Sequence, residues 1–223
     1  MNKTKVKNVY SAYIVYDLET GGLHSEKNPI IEIAFVVLLR NKEGSLYIDE
    51  NLSFDSLILP YNEDLIIEDK ALEVNKITRK DIKKYGNDVE NIKEVLLELL
   101  EVINPKNNER YRPILVGHNI DNFDNDFLKK FLKDIGAPDI NILFSKGGLD
   151  TLKLTKILFE GEKIINSFSL SSLCDFFGIK NENNHRAMGD AVANAKLLMK
   201  LIEMFKINRR EFLKIKESKK DGN

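Results

Sequence analysis

Tyr13-Ile14-Val15-Tyr16-Asp17-Leu18-Glu19-Thr20-Gly21-Gly22-Leu23 is an apolar, β-branched run that ends in two carboxylates and a glycine turn. Alternate residues of a strand share a face, so Asp17 and Glu19 point the same way. With nothing basic between them in sequence, they either stand at an exposed strand end or share a divalent cation. An Asp-x-Glu spacing is a weak motif and leaves both readings open.

Outward from this stretch, residues 12–16 read as a central strand ending at Asp17. Residues 30–40 form a long β-rich run suited to pair antiparallel with it. A turn at Asn41-Lys42-Glu43-Gly44 leads into a third strand within residues 47–59, closed by Pro60. The pattern then turns helical. Residues 62–71 and 78–84 read as short helical pieces. Residues 88–103 carry Val89, Ile92, Leu96, Leu99 and Ile103 on one stripe, with Asn87 as a candidate cap. A short buried strand at residues 114–116 precedes helices over 124–135, 150–159 and 170–177. The longest helix spans 187–205, and Ala187, Ala191 and Ala195 would let it lie close on a sheet. Three strands followed by alternating helices and strand make an α/β fold, a mixed sheet covered by helices. The expected division is a polar leader (residues 1–11), one domain (12–206) and a charged, net basic tail (207–223).

The 223 residues, 43% hydrophobic and 31% charged, are ordinary for a globular protein and sufficient for a sizeable core. The single cysteine, Cys174, excludes an internal disulfide and a cysteine-cluster metal site. No apolar run approaches the roughly 18 residues of a membrane span, and the N-terminus lacks a signal-peptide core. No membrane is therefore expected, and the compartment expected is the cytoplasm. A formal net charge of −1 argues against a broad electrostatic grip on duplex nucleic acid. It leaves room for a small site where metal ions supply the positive charge.

Carboxylates recur in two further stretches. Val116-Gly117-His118-Asn119-Ile120-Asp121-Asn122-Phe123-Asp124-Asn125-Asp126-Phe127-Leu128 runs from a strand end through a loop into a helix. Asp124 falls at the helix start, where an aspartate is also a favoured cap worth roughly 1 kcal/mol. Asn184-His185-Arg186-Ala187-Met188-Gly189-Asp190-Ala191 enters the longest helix, and Asp190 lies on the border of its apolar face. A carboxylate there needs a partner, because burying an unpaired charge is costly. His185 has no evident packing role, and an ordinary hydrogen-bonded histidine is its plainer reading.

Asp17 and Glu19, then Asp124, then His185 and Asp190 form an ordered set that resembles the DnaQ-like 3′–5′ exonucleases. The branch resembled is the one named for Asp-Glu-Asp-Asp plus His. Asp17-Leu18-Glu19-Thr20-Gly21-Gly22-Leu23 matches the first motif, with Gly21 where Thr is common. His118-Asn119 through Phe123-Asp124 matches the second, with one extra residue, and His185 through Asp190 the third. Ile30-Ile31-Glu32-Ile33-Ala34 looks like the family's second strand. Leu149-Asp150-Thr151-Leu152 and Ser169-Leu170-Ser171-Ser172-Leu173 echo later segments, and Asn75 stands where the family usually has His. The resemblance spans roughly residues 12–205.

The resemblance implies a ribonuclease-H-like fold: a mixed five-stranded sheet, three antiparallel strands first and parallel strands after, with helices on both faces. It implies two divalent ions, Mg²⁺ with Mn²⁺ able to substitute, held by Asp17, Glu19, Asp124 and Asp190. His185 would be the general base, a task suited to an imidazole with an unperturbed pKa near about 6.5. Thr20 and Asn119 fall where the 3′-terminal nucleotide is held. Leu23 falls where an apolar side chain wedges the terminal base, and core packing beside the glycine turn is its other reading. The implied reaction releases nucleoside 5′-monophosphates from the 3′ end of single-stranded or frayed DNA. Trimming of short RNA and a non-catalytic binding subunit are the alternatives. A DNA polymerase is an allowed partner in proofreading or repair, but the chain has no Gln and so no Gln-initiated clamp-binding peptide.

Overall fold

The computed structural model describes residues 12–160, 165–181 and 185–220, the side chains of 122 and 207–220 excepted. Its strands are Tyr13–Thr20 (β1), Ile30–Arg40 (β2), Leu46–Leu57 (β3), Ile114–Gly117 (β4) and Leu149–Asp150 (β5). They form one sheet in the order β3-β2-β1-β4-β5. β1 pairs antiparallel with β2, which pairs antiparallel with β3; β1–β4 and β4–β5 are parallel. This is the mixed five-stranded sheet that the family resemblance implied. The helices are Asp69–Asn75 (α1), Arg79–Tyr85 (α2), Val89–Ile103 (α3), Asp124–Asp134 (α4), Ile140–Leu143 (α5), Thr151–Leu158 (α6), Leu170–Phe177 (α7) and Ala187–Lys220 (α8).

Strand parity divides the core. Ile14, Tyr16 and Leu18 of β1, with Ile33, Phe35 and Val37 of β2, bury one face of the sheet in a cluster with Ile92, Leu96 and Leu99 of α3 and Phe127, Leu128 and Phe131 of α4. Val15, Ala34, Val36 and Val116 bury the other face with Ala187, Ala191, Ala195 and Leu198 of α8. The small side chains on α8 bring its backbone close to the central strands, as their spacing suggests. With both faces covered, β2 is buried from Ile30 through Leu39, which explains its continuous apolar run instead of an alternating one.

Three local expectations are corrected. β1 does not stop at Asp17 but runs to Thr20, because Asp17, Leu18 and Glu19 remain in register with Ala34, Ile33 and Glu32 of β2. Helix α3 is capped by Asp88, whose carboxylate accepts from the Asn91 amide at 2.9 Å. Asn87 instead donates to the Ser56 hydroxyl at 2.9 Å, beside the β3 edge. Helix α8 does not end near residue 205 but continues to Lys220. Residues 207–220 contain neither Pro nor Gly and are rich in Lys, Arg and Glu, which carry low helix cost. The leader at 1–11 and the side chains of Arg209, Arg210, Lys214, Lys216, Lys219 and Lys220 lie outside the described residues. Among the described residues, no helix is long and apolar enough to cross a membrane.

Candidate active site

Asp17 and Glu19 continue the parity of Tyr13 and Val15, so they leave β1 on the face that α8 covers. Asp190 lies in the first turn of that helix. Strand parity and the docking of a small-residue helix are thus enough to bring Asp190 together with carboxylates 171 and 173 positions earlier. One carboxylate oxygen from each of Asp17, Glu19 and Asp190 lies within 4.8 Å of the others. Asp190 is held on both oxygens, by Asn181 Nδ2 at 2.5 Å and by the His185 backbone N–H at 3.1 Å.

Asp124 comes from a different part of the chain. It opens α4 after the short strand β4 and a single 3₁₀ turn at Ile120–Asn122. It is not one of the three mutually close carboxylates, but of the charges acting on Asp17 it is the strongest.

Crowding shows in the acidities. Burial, followed by the charges of Asp124, Glu19, Asp190 and Glu32, pushes the Asp17 carboxyl well above the ordinary range. Glu19 is pushed up to about 8, by burial first and then by Glu32 and Asp190, with Arg186 opposing. Asp124 is pushed up to about 7 by burial and Asp150, against a hydrogen bond from its own backbone. Carboxylates that hinder one another's ionisation are what a divalent cation relieves, and an all-oxygen donor set suits Mg²⁺ or Mn²⁺. The donor chemistry therefore fits the implied metal.

The remaining candidates are placed as follows. His185 is exposed, with a left-handed backbone (φ 64°), and enters this group through its backbone N–H. Asn119 is also left-handed (φ 67°), and its N–H donates to Asp150 Oδ1 at 2.9 Å. The Thr20 hydroxyl is buried and donates to the Gly22 carbonyl at 2.7 Å, tightening the turn after β1. Leu23 is 75% exposed, so it does not pack in the core. Its loop is fixed from beneath by Asn28, which is buried, accepts from the His24 N–H and donates to the Ile66 carbonyl and to Glu68. A Cβ on Gly22 would meet that Asn28 side chain at 2.4 Å, so the glycine is required by close approach.

Several supporting residues have roles that only the fold reveals. Glu32 is the one carboxylate inside the buried β2 strand and binds Arg186. That isolation is a usable signal, since a fully buried Glu is rare unless paired. Asp150, at the end of β5, accepts from the N–H groups of both Asn119 and Leu152, tying the turn before Asp124 to the start of α6. His118 lies 2.9 Å from the Phe168 carbonyl through Nε2 and 3.0 Å from the Thr151 hydroxyl through Nδ1. A carbonyl only accepts, so Nε2 carries the proton and Nδ1 is free to accept in the neutral ring. Burial lowers the pKa of this histidine accordingly. Asn181 follows α7 in a segment without a motif, and only the fold reveals its contact with Asp190.

The family model described as Exonuclease (RNase T) matches residues 14–198. The chain belongs to the DnaQ-like exonuclease family. This exonuclease domain is 31% identical over 196 residues to a DNA polymerase III PolC-type of Thermotoga maritima, covering 88% of the chain and 12% of that relative. It thus spans a small part of the length of the PolC-type relatives it matches. It is 30% identical over 199 residues to a Ribonuclease T of Buchnera aphidicola, covering 86% of the chain and 83% of that protein. Its fold is the ribonuclease-H-like fold of E. coli Exonuclease I in complex with a dT13 oligonucleotide. That match has a TM-score of 0.69 at 18% identity and covers 92% of this chain and 43% of the other.

Proposed function

We propose that this exonuclease domain is a metal-dependent 3′–5′ exonuclease that removes nucleoside 5′-monophosphates from single-stranded or frayed DNA. The observation that carries the reading is the convergence of Asp17, Glu19 and Asp190 within 4.8 Å, with Asp124 the strongest charge acting on Asp17. Two divalent ions held there would favour deprotonation of the attacking water and offset charge on the leaving oxygen. Asp17, on which the charges of Asp124, Glu19 and Asp190 all act, would be the ligand the two ions share. Glu19 and Asp190 would complete the site for the ion that activates the water, and Asp124 would support the second ion directly or through water. His185, exposed at the rim, accepts the proton of the attacking water. Leu23 offers an apolar surface to the terminal base, a contact that tolerates any base because each has a stacking face. Thr20 shapes the turn that presents Leu23, and Asn119 faces the 3′-terminal nucleotide.

DNA is favoured because the relatives include DNA polymerase III proteins, among them a subunit epsilon of Aquifex aeolicus 28% identical over 210 residues. A DNA polymerase is the partner such a role would call for. The similarity to a Ribonuclease T supports a second reading, trimming of RNA 3′ ends. The test is digestion of matched single-stranded DNA, mismatched duplex DNA and RNA, each 5′-labelled, in Mn²⁺ or Mg²⁺. A ladder on DNA that vanishes with chelator, and in Asp17→Ala and His185→Ala protein of wild-type fold, is expected. A ladder on RNA alone reverses the substrate assignment, and no ladder on any substrate under varied metals overturns the reading.

A further inference from the structure

We propose that Glu32 is the positioning residue of the general base, a role that rests on the reading of His185 given above. Glu32 is 1% exposed and stands directly across from Glu19 in the β1–β2 register. Like charges opposite one another on neighbouring strands weaken a sheet. An apolar side chain would serve the strand better, so what Glu32 holds must explain its presence. Its carboxylate receives Arg186 Nε at 3.0 and 3.1 Å and Arg186 Nη2 at 2.5 Å. It also accepts from the Ala187 backbone N–H at 3.1 Å, one of the orphan amides at the start of α8. Both partners immediately follow His185.

His185 adopts a left-handed backbone, an uncommon conformation for a residue with a Cβ, and such conformations persist where the surroundings impose them. Here the turn is fixed at both ends. Its N–H is held by Asp190, and the next two residues are held by Glu32. The imidazole is exposed, so its placement relies on the backbone that carries it. Glu32 thereby sets the direction in which the ring projects, from a strand 153 positions earlier in sequence. The bidentate guanidinium–carboxylate geometry suits this task because it fixes orientation as well as distance.

The test is a kinetic cycle of Glu32→Gln, His185→Ala and the double variant, with kcat and KM taken from steady-state turnover and, for the two His185→Ala backgrounds, residual rates resolved in single turnover with enzyme in excess. Glu32→Gln keeps size and removes the bidentate acceptor; the expected result is a 10- to 100-fold loss in kcat with KM within 3-fold. In the His185→Ala background the same change should cost nothing further, because two residues acting through one group are not additive. Faster hydrogen exchange at the Ala187 amide, at unchanged Mn²⁺ affinity, should accompany it. Arg186→Lys, at a partly exposed position, repeats the test with Glu32 intact should Glu32→Gln fold poorly, and a matching kcat loss is expected. An additive loss in the double variant, or an unchanged kcat in both single variants, overturns the positioning role while leaving His185 as base. Near-wild-type turnover in His185→Ala overturns the general-base reading itself, and the positioning role with it.

Discussion

Glu19 sits where its negative charge is least welcome, beside Asp190 and opposite Glu32, and its carboxyl titrates near 8. The consequence can be read at this one residue. Glu19→Gln removes a charge that the metal-free fold resists, so chelator-treated protein at pH 8.5 should melt several degrees higher than wild type, while nuclease activity falls by 10³-fold or more. The order of magnitude follows from about 1.4 kcal/mol for each pH unit by which the acid is raised. Calorimetry beside a digestion assay checks both, and a lower melting temperature would mean that Glu19 contributes to the fold instead of straining it. Leu23 presents the opposite case. Its side chain is 75% exposed, so Leu23→Ala should leave stability within about 0.5 kcal/mol. If the leucine stacks on the terminal base, KM should rise about 10-fold, as the loss of one base contact implies. Unchanged KM on single-stranded DNA would remove Leu23 from the binding surface.

The elements explain how a few residues come to be aimed. β4 contributes four residues, yet its end is tightly specified: a Cβ on Gly117 would lie 2.1 Å from Ile120 Cγ2. Ile120 is fully buried, so it has no room to retreat. Gly117→Ala should therefore cost roughly 1–3 kcal/mol, the usual range for overpacking, and shift the turn that delivers Asp124. Denaturant unfolding with parallel kinetics should show stability and kcat falling together. The apolar, β-branched run of β1 and the amphipathic stripe of α3 were legible because each is a local pattern. The end of β1 was not, since charges at Asp17 and Glu19 look like a terminus until β2 is seen paired alongside. The five ordered catalytic candidates were legible by resemblance to motifs. The residues that hold them in place were harder to read. Glu32 reaches Arg186 across 154 positions and Asn119 reaches Asp150 across 31, and no local pattern encodes such pairs.

At the scale of the whole molecule, the site makes stability depend on pH and on cations. Glu19 titrates near 8 in the fold against an ordinary 4.5, and Asp124 near 7 against 3.8. Both are raised, so between these values the folded state binds more protons than the unfolded chain, and stability falls as pH rises through the window. His118 runs the other way. Its pKa is lowered from 6.5, so unfolding takes up a proton below that value and acid destabilises the fold. Between pH 6.5 and 8.5 the carboxylates dominate. Metal-free protein should lose about 2 kcal/mol over this interval, several degrees in Tm for a chain of this size. A divalent cation would bind the ionised forms, so millimolar Mg²⁺ or Mn²⁺ should raise Tm more at pH 8.5 than at pH 6.5 and flatten the dependence. Asp17→Asn should blunt the metal effect, because it removes one of the three carboxylates that would share the cation. Melting curves across the interval, with chelator and with each metal, decide the matter. A metal-free Tm that climbs with pH, or a metal effect equal at both ends, would mean that these carboxylates do not share a cation.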